Sequence, residues 1–360
     1  MRKFTSVQET QPKIKSNLKI LILLGAVVLG LTIGTLYYFY DELYANNVNL
    51  PTGQEGFIYI PTGSSHNDVI HQIAESGYID DMQTLQRAMQ RLDYGAKIYS
   101  GRFKITSGMS NKQIVRILAS NMQTPVDMVI PSIRTREKLV GAIARQIEPD
   151  SISLLLSLKD EDVAKRYGFN TENFSCMFIP NSYQMYWNIG LNSFLDRMNK
   201  EWEAFWNSNN RESKLKKVGL SRTDAVILAS IVCEETNMYD EMPTIAGVYI
   251  NRLRKGMRLQ ADPTVRFVVG DFSMRRVLTV HTKISNPYNT YRVHGLPPGP
   301  ICIPNTKVID AVLNFEKHSY LYFCAKADFS GYHSFAKTYG RHLEFSQEYQ
   351  KALNQMLVHR

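Results

Sequence analysis

Leu228-Ala-Ser-Ile-Val-Cys-Glu-Glu-Thr236 is the first of four polar motifs that follow one another as far as Ile301. The others are Leu259-Gln-Ala-Asp-Pro-Thr264, Asn286-Pro-Tyr-Asn-Thr-Tyr291 and Gly295-Leu-Pro-Pro-Gly-Pro-Ile301. Proline and glycine fix the turns of such loops, while asparagine, threonine and tyrosine supply hydrogen-bonding groups. This density of turn-forming and polar residues after a pair of glutamates predicts loops that hold a rigid polar pocket.

The first motif is predicted to form a helix that carries one of its two glutamates into the protein. Ser221-Arg-Thr-Asp224 has the spacing of a capping box at a helix start. At a helical period, Glu235 falls near the centre of an apolar stripe and Glu234 about 90° away from it. The stripe consists of Ile227, Leu228, Ile231 and Val232. Burial beside apolar surface raises the pKa of a glutamate, which lets it keep the proton that a general acid must donate. The alternative is a helix-end carboxylate paired with an arginine, for example Arg252 or Arg258.

Together the four motifs resemble those of the YceG-like family of endolytic murein transglycosylases, in which a single glutamate cuts the glycan strand of peptidoglycan. The family's helix usually reads Ala-Ser-Ile-Val-Glu-x-Glu-Thr, and its second, catalytic glutamate corresponds to Glu235. This sequence has Cys233 in place of the first glutamate, so that position cannot be catalytic here. Glu234 corresponds to a variable position. The resemblance therefore implies that Glu235 is the catalytic residue.

The second and third motifs are expected to bind the sugar. They are similar to the family's Leu-Gln-Ser-Asp-Pro-Thr and Ser-Pro-Tyr-Asn-Thr-Tyr, with alanine and asparagine in place of the two serines. Their side chains offer hydrogen bonds to sugar hydroxyl and acetamido groups, and tyrosine rings suit the apolar face of a pyranose. An Asp-Pro turn that caps the next helix at Thr264 is an alternative, and both roles could coexist. The expected substrate-binding residues are Gln260, Asp262, Thr264, Tyr288, Asn289, Thr290 and Tyr291.

A histidine near the C-terminus is expected to have a structural role. Gly331-Tyr-His-Ser-Phe335 resembles the family's Gly-x-His-x-Phe. His333 could belong to a Ser-His-Asp triad, but the sequence contains no Gly-x-Ser-x-Gly nucleophile motif. A hydrogen-bonding histidine in a turn is therefore favoured.

The N-terminal region contains one predicted transmembrane helix. No charged residue occurs from Ile20 to Tyr40, and a helix of this length spans about 31 Å, close to the thickness of a hydrocarbon core. Basic residues dominate positions 1–19, whereas Asp41 and Glu42 follow the apolar run. This charge bias predicts a single-pass protein of the bacterial cell membrane with a cytoplasmic N-terminus and an extracytoplasmic catalytic domain. A cleaved signal peptide is the alternative, although the run is longer than an h-region and lacks a small-x-small cleavage site.

The rest of the chain is predicted to be an α+β ectodomain of two or three parts. A strand–helix–helix–strand order between Phe57 and Thr106 resembles the LysM-like module that precedes the family's catalytic domain, and a plain spacer is the alternative. A polar segment at 207–217 is interpreted as a linker before the glutamate helix. The predicted division is a cytoplasmic tail at 1–19, a transmembrane helix at 20–40, a linker at 41–53, a LysM-like module at 54–122, an intermediate α+β region at 123–215 and a catalytic region at 216–360.

Composition narrows the function classes further. The chain of 360 residues has a net charge of +9 without a block of like charges, which suits anionic lipid or an acidic wall polymer better than nucleic acid. Its four cysteines form no CxxC pair and paired histidines are missing, so no metal site is predicted and no organic cofactor is implied. In an oxidising compartment a disulfide could form, with three pairings open, or the thiols could stay buried and free. The cysteines are Cys176, Cys233, Cys302 and Cys324.

The resemblance implies cleavage of the bond between N-acetylmuramic acid and N-acetylglucosamine. Glu235 would protonate the glycosidic oxygen and then accept the proton of the muramic 6-hydroxyl, which closes a 1,6-anhydro ring. An internal nucleophile explains why one carboxylate is evident where ordinary glycosidases use two. The expected partners are glycan strands, the lipid bilayer through residues 20–40 and peptidoglycan synthases, with a role in limiting nascent strand length. The alternatives are a hydrolase with Asp262 as second carboxylate and a non-catalytic murein-binding scaffold.

Overall fold

The computed structural model describes residues 13–274 and 276–358. These residues form two compact units, one ending at Pro125 and the other beginning at Val126. Each unit has its own hydrophobic core, drawn from residues between 48 and 118 in the first and between 128 and 313 in the second. Both units combine helices with short antiparallel strands, which confirms the predicted α+β class. Positions 1–12 of the predicted cytoplasmic tail lie outside the described residues.

The first helix, α1 (Lys13–Tyr44), contains the predicted span. Its segment Leu18–Tyr44 has a mean hydropathy of 2.4 in the most apolar window and is long enough to cross a membrane. Every side chain from 18 to 38 is exposed in the protein alone. An apolar helix surface that no protein atom covers is typical of a segment that faces lipid.

The predicted linker at 41–53 is more ordered than its polar composition indicated. Residues 41–44 continue α1, and Glu42 is buried, where it accepts hydrogen bonds from Arg87 Nε (3.1 Å) and Arg91 Nε (2.6 Å). Asn47 is buried too, and its side-chain amide donates to the backbone oxygen of Asp81 (2.8 Å) and to Asn111 Oδ1 (2.6 Å). A buried polar residue whose groups are bonded to protein stabilises a fixed chain path, so this segment is part of the first unit.

The remainder of the first unit has the strand–helix–helix–strand order expected from the sequence. The strands pair antiparallel, from Glu55 opposite Thr106 to Ile60 opposite Gly101. Capping boxes at Ser65 and Ser110 mark the starts of two helices. In each box the serine side chain accepts a hydrogen bond from the backbone amide of the third helical residue, and the side chain of that residue accepts one from the serine amide. The elements are β1 (Glu55–Ile60), α2 (His66–Ser76), α3 (Met82–Arg91), β2 (Gly101–Thr106) and α4 (Asn111–Ala119).

The second unit begins with an antiparallel strand pair and a set of helices. Val126 pairs with Met185 and Ile130 with Asn181, and one single-turn 3-10 helix (Phe174–Met177) precedes the returning strand. The elements are β3 (Val126–Ile130), α5 (Arg136–Ala144), α6 (Ser151–Lys159), α7 (Glu161–Arg166), β4 (Asn181–Met185), α8 (Leu191–Asn207) and α9 (Arg211–Val218).

The predicted linker at 207–217 is instead helical over most of its length. Helix α9 covers Arg211–Val218, and the predicted boundary at 215/216 falls within it. Arg211 is buried and forms two hydrogen bonds of 2.8 Å with the carboxylate of Asp310. Many of the polar residues of the predicted linker therefore belong to a helix that is held in place by a bidentate ion pair between Arg211 and Asp310.

The glutamate helix lies in the middle of the second unit. It is α10 (Arg222–Glu235), and all residues from Ala225 to Val232 are buried, because three later helices of the chain pack around it. The predicted single apolar stripe thus underestimates its burial. The elements that follow are α11 (Met242–Arg254), α12 (Asp262–Val269), α13 (Thr279–Thr282), α14 (Thr306–Leu313), β5 (Tyr322–Ala325), β6 (His333–Ala336) and α15 (Tyr339–Val358).

Candidate active site

Glu235 is the last residue of α10. The helix begins at the predicted capping box, where Ser221 and Asp224 satisfy each other's backbone amides at 3.1 Å in both directions. The chain turns to an extended conformation at Thr236. The carboxyl group therefore stands at the carbonyl end of a helix, where the helix dipole disfavours a negative charge.

The surroundings of Glu235 favour its protonated form. Burial raises the pKa of Glu235 from 4.5 to about 7, and the negative charge of Asp262 adds to the rise. The hydrogen bond from Tyr249 and the charges of Arg266 and Arg252 act in the opposite direction. A carboxyl group with a pKa near 7 can hold a proton at neutral pH and can also accept one, as an acid–base catalyst must.

Tyr249 is the residue that fixes the Glu235 carboxyl group. It lies on α11, is almost completely buried, and its hydroxyl donates a short hydrogen bond to Glu235 Oε1. Burial raises the pKa of Tyr249 well above 10, so the phenol remains a donor throughout the working pH range. No sequence motif pointed to this residue, because its role depends on the packing of α11 against α10.

Glu234 has a different environment from that of its neighbour. Arg134 Nε donates to both of its carboxylate oxygens, at 2.8 Å and 3.0 Å. Arg252, proposed from the sequence as a partner of a helix-end glutamate, instead donates to the backbone oxygens of Leu321 and Leu259, both at 2.6 Å. Among the residues that the structure describes, no salt bridge involves Glu235. The paired glutamate is therefore Glu234.

A cavity of about 500 Å³ opens next to Glu235. Of the predicted binding residues, Gln260, Asp262 and Tyr291 line it, and the Tyr291 hydroxyl donates to Asp262 Oδ1 at 2.6 Å. Gln260 has a left-handed backbone (φ 51°) that is held by a hydrogen bond from its amide to the backbone oxygen of Thr290 (3.1 Å). This conformation turns the polar loop around the cavity.

Three of the predicted binding residues are completely buried. Thr264 Oγ1 and Thr290 Oγ1 lie 2.9 Å apart, and Asn289 donates to the backbone oxygens of Thr282 and Ile284. Their hydrogen bonds to protein leave no surface for a sugar, so the expected direct contact is replaced by a role in holding the loops. The remaining predicted binding residue is Tyr288, and its hydroxyl donates to Glu172 at 2.7 Å beside a second cavity.

The opposite wall of the cavity comes from the C-terminal strand pair and the helix after it. Its aromatic residues were not predicted as site residues, because they are distant in sequence and only tertiary packing brings them to Glu235. His333 belongs to this wall, and its Nδ1 and backbone amide both lie 2.7 Å from the buried carboxylate of Glu241. The contributing side chains include Tyr322, Phe323, His333, Tyr339, His342 and Tyr349.

An α+β fold that presents a carboxyl group with a raised pKa in a polar, aromatic-lined cavity has the features of an acid–base enzyme acting on carbohydrate. The sequence profile of the YceG-like family matches residues 58–348, and the chain belongs to that family.

Known relatives agree with this assignment. The chain is 28% identical over 338 residues to the endolytic murein transglycosylase of Bacillus subtilis, and the match covers 88% of both chains. It is 29% identical over 177 residues to the endolytic murein transglycosylase of Streptococcus pneumoniae, which covers 48% of this chain and 31% of that protein. The crystal structure of a YceG-like protein from Listeria monocytogenes has the same fold, with a TM-score of 0.53 at 24% identity over 81% of this chain and 99% of the other.

Proposed function

We propose that this protein is a membrane-anchored lytic transglycosylase that cuts peptidoglycan glycan strands internally, with Glu235 as its only acid–base group. The observation that carries the proposal is the position of the Glu235 carboxyl group, which is hydrogen-bonded to buried Tyr249 at the edge of an open polar cavity, where burial raises its pKa to about 7. The names of the Bacillus and Streptococcus relatives support murein as the substrate and transglycosylation as the reaction.

In the first step Glu235 donates a proton to the glycosidic oxygen. The Tyr249 hydroxyl donates to Oε1, so the proton of the neutral carboxyl group belongs on Oε2. As the bond to N-acetylglucosamine breaks, Glu235 becomes a carboxylate, and the hydrogen bond from Tyr249 becomes charge-assisted and stronger. The cost of leaving a charge in a buried position is thereby reduced.

In the second step Glu235 accepts the proton of the muramic 6-hydroxyl. The oxygen of that hydroxyl bonds to the anomeric carbon of the same sugar, which closes the 1,6-anhydro ring and returns Glu235 to its neutral form. Asp262 lies in the same cavity, and its negative charge can stabilise the positive charge that develops on the sugar. The aromatic wall offers faces on which pyranose rings can stack.

The anchor determines where this chemistry takes place. The exposed apolar surface of α1 supports a single membrane span, and the basic residues before it support a cytoplasmic N-terminus. The enzyme would then act on nascent strands outside the membrane, near the synthases that make them, and limit strand length. The first unit, with its strand–helix–helix–strand order, would add affinity for the glycan as a LysM-like module.

Product masses test the reaction type directly. The full-length protein in detergent is incubated with purified glycan strands, and the new ends are analysed by mass spectrometry. A lytic transglycosylase gives anhydro ends, each one water lighter than a hydrolysed end, on fragments cut from within the strand. Hydrolysed ends would instead identify a hydrolase with Asp262 as the second carboxylate. Binding without cleavage would identify a murein-binding scaffold.

A further inference from the structure

Two of the four cysteines lie next to each other at the end of the helix that carries Glu235. Cys233 is in the last turn of α10, and Cys302 follows the Gly295–Ile301 motif. The Sγ of Cys302 donates to the backbone oxygen of Ser230 at 3.4 Å, three residues before Cys233 on the helix. The amide of Ile301 donates to Ser230 Oγ at 3.0 Å, which holds the loop against the helix. Ser230 precedes Cys233 by about one helical turn, so this contact places Cys302 beside Cys233, and the two side chains interact.

The surroundings of the two thiols differ in a way that suits stepwise oxidation. The interaction with Cys302 lowers the pKa of Cys233, and the Asn305 amide and the charge of Arg134 act in the same direction, whereas burial and the negative charge of Glu234 act against them. The pKa of Cys302 is raised by its interaction with Cys233 and by burial. Cys233 is therefore the thiol that ionises and attacks first. Cys233 is half-buried and Cys302 is buried, so the thiol that attacks first is also the more accessible of the two.

We propose that Cys233 and Cys302 are a disulfide-forming site that ties the end of the glutamate helix to the loop after the Leu-Pro-Pro-Gly motif. Of the six pairs that four cysteines can form, this is the one whose two side chains interact.

The oxidation uses an external disulfide, either of a low-molecular-weight thiol or of a thiol–disulfide oxidoreductase. The Cys233 thiolate attacks one sulfur of that disulfide, forms a mixed disulfide and releases one thiolate. Cys302 then loses its proton and attacks the Cys233 sulfur, which releases the second thiolate. The two cysteines lose two electrons and two protons, and the external disulfide is reduced to two thiols.

The cross-link closes a long loop and fixes the residue two positions before Glu235. A disulfide that closes a loop of this size restricts the unfolded chain, so the oxidised protein should melt about 5–10 °C higher than the reduced protein. Because Tyr249 holds the carboxyl group from the other side, oxidation is expected to stabilise the site without moving Glu235.

The test uses full-length protein equilibrated with oxidised or reduced glutathione, alkylated without reduction, digested and analysed by mass spectrometry. The expected result is a linked peptide pair that contains Cys233 and Cys302 after the oxidised treatment. The pair should be missing in Cys233→Ser and in Cys302→Ser, and present in the control Cys324→Ser. The rise in melting temperature should also be lost in Cys302→Ser.

Two results would overturn the proposal. One is full alkylation of both cysteines after equilibration with oxidised glutathione, and the other is a link from either of them to Cys176 or Cys324. The readout is covalent and is obtained from the wild-type chain, so it does not depend on glycan cleavage. A failure of the proposed enzymatic function would leave this result unaffected.

Discussion

Glu234 and Glu235 are adjacent in sequence and have different partners in the structure. Arg134 neutralises Glu234, whereas Glu235 receives a neutral hydrogen bond from Tyr249 and is partly shielded from water. Helix periodicity alone separates the two glutamates, because a helical step of about 100° turns neighbours to different faces. The identities of Arg134 and Tyr249 could not be predicted from the sequence, since both come from other helices or loops.

Replacing Tyr249 by phenylalanine tests how the site tunes its acid. The variant loses the hydrogen bond that lowers the pKa of Glu235, so that pKa should rise above its value of about 7. Since Glu235 must be protonated to act as acid, the alkaline limb of the kcat profile should move to higher pH. The value of kcat should fall roughly tenfold, because the carboxyl group is less firmly oriented.

The control for this variant is Tyr183→Phe. Tyr183 lies on β4, in a strand pair that does not line the cavity. It is also buried, and its hydroxyl donates to the backbone oxygen of Ile179. Its pH profile should match the wild type. An unchanged alkaline limb in Tyr249→Phe would show that this tyrosine does not set the pKa of Glu235.

The polar residues of the second and third motifs divide into two groups that the sequence did not separate. Gln260, Asp262 and Tyr291 face the cavity, while Thr264 and Thr290 bond to each other in the interior. In an irregular loop the direction of each side chain is set by local backbone angles, which follow no fixed period. Residue type alone therefore predicted a polar loop without showing which of its side chains line the cavity.

Among the elements, the starts of helices were the easiest to predict from the sequence. The elements that form the walls of the cavity were the hardest to predict. The serine–acid pairs at Ser65 and Ser221 correctly marked helix starts, because capping depends on residues three positions apart. The strand pair β5–β6 forms a wall of the cavity through contacts with residues far away in the sequence. Nothing in the local pattern of 322–336 specifies that packing.

The strand–helix–helix–strand elements of the first unit allow a test of their role in binding. Since each unit has a core of its own, a chain that begins at Val126 should fold and still cleave soluble glycan strands. It should bind intact sacculi more weakly than a chain that begins at Asp41, as measured by co-sedimentation. Equal binding by the two chains would mean that the first unit is a spacer.

At the scale of the whole molecule, the contacts of Glu42 and Asn47 indicate where the apolar helix α1 can be removed. A chain that begins at Asp41 keeps Glu42 and Asn47, and we expect it to be soluble and active on glycan strands. A chain that begins at Leu50 loses both buried residues, so Arg87, Arg91 and Asn111 lose their partners. The first unit should then be less stable by roughly 1–3 kcal/mol.

Thermal melting of the two truncated chains measures this difference. Equal melting temperatures would contradict the structural role given to Glu42 and Asn47. An insoluble chain from Asp41 would indicate that the apolar helix α1 packs within the body of the protein.

The paired substitution of the two glutamates tests the central claim most directly. Glu235→Gln keeps the shape of the side chain but cannot donate a carboxylic proton, and the release of anhydro ends should fall by about 10²–10⁴-fold or more. Glu234→Gln loses only a partly exposed ion pair with Arg134 and should stay within a few-fold of wild type. Thermal melting is the control that checks whether both variants are folded. Near-normal release of anhydro ends by Glu235→Gln, with loss of release in Glu234→Gln, would contradict the assignment of Glu235 as the acid and base.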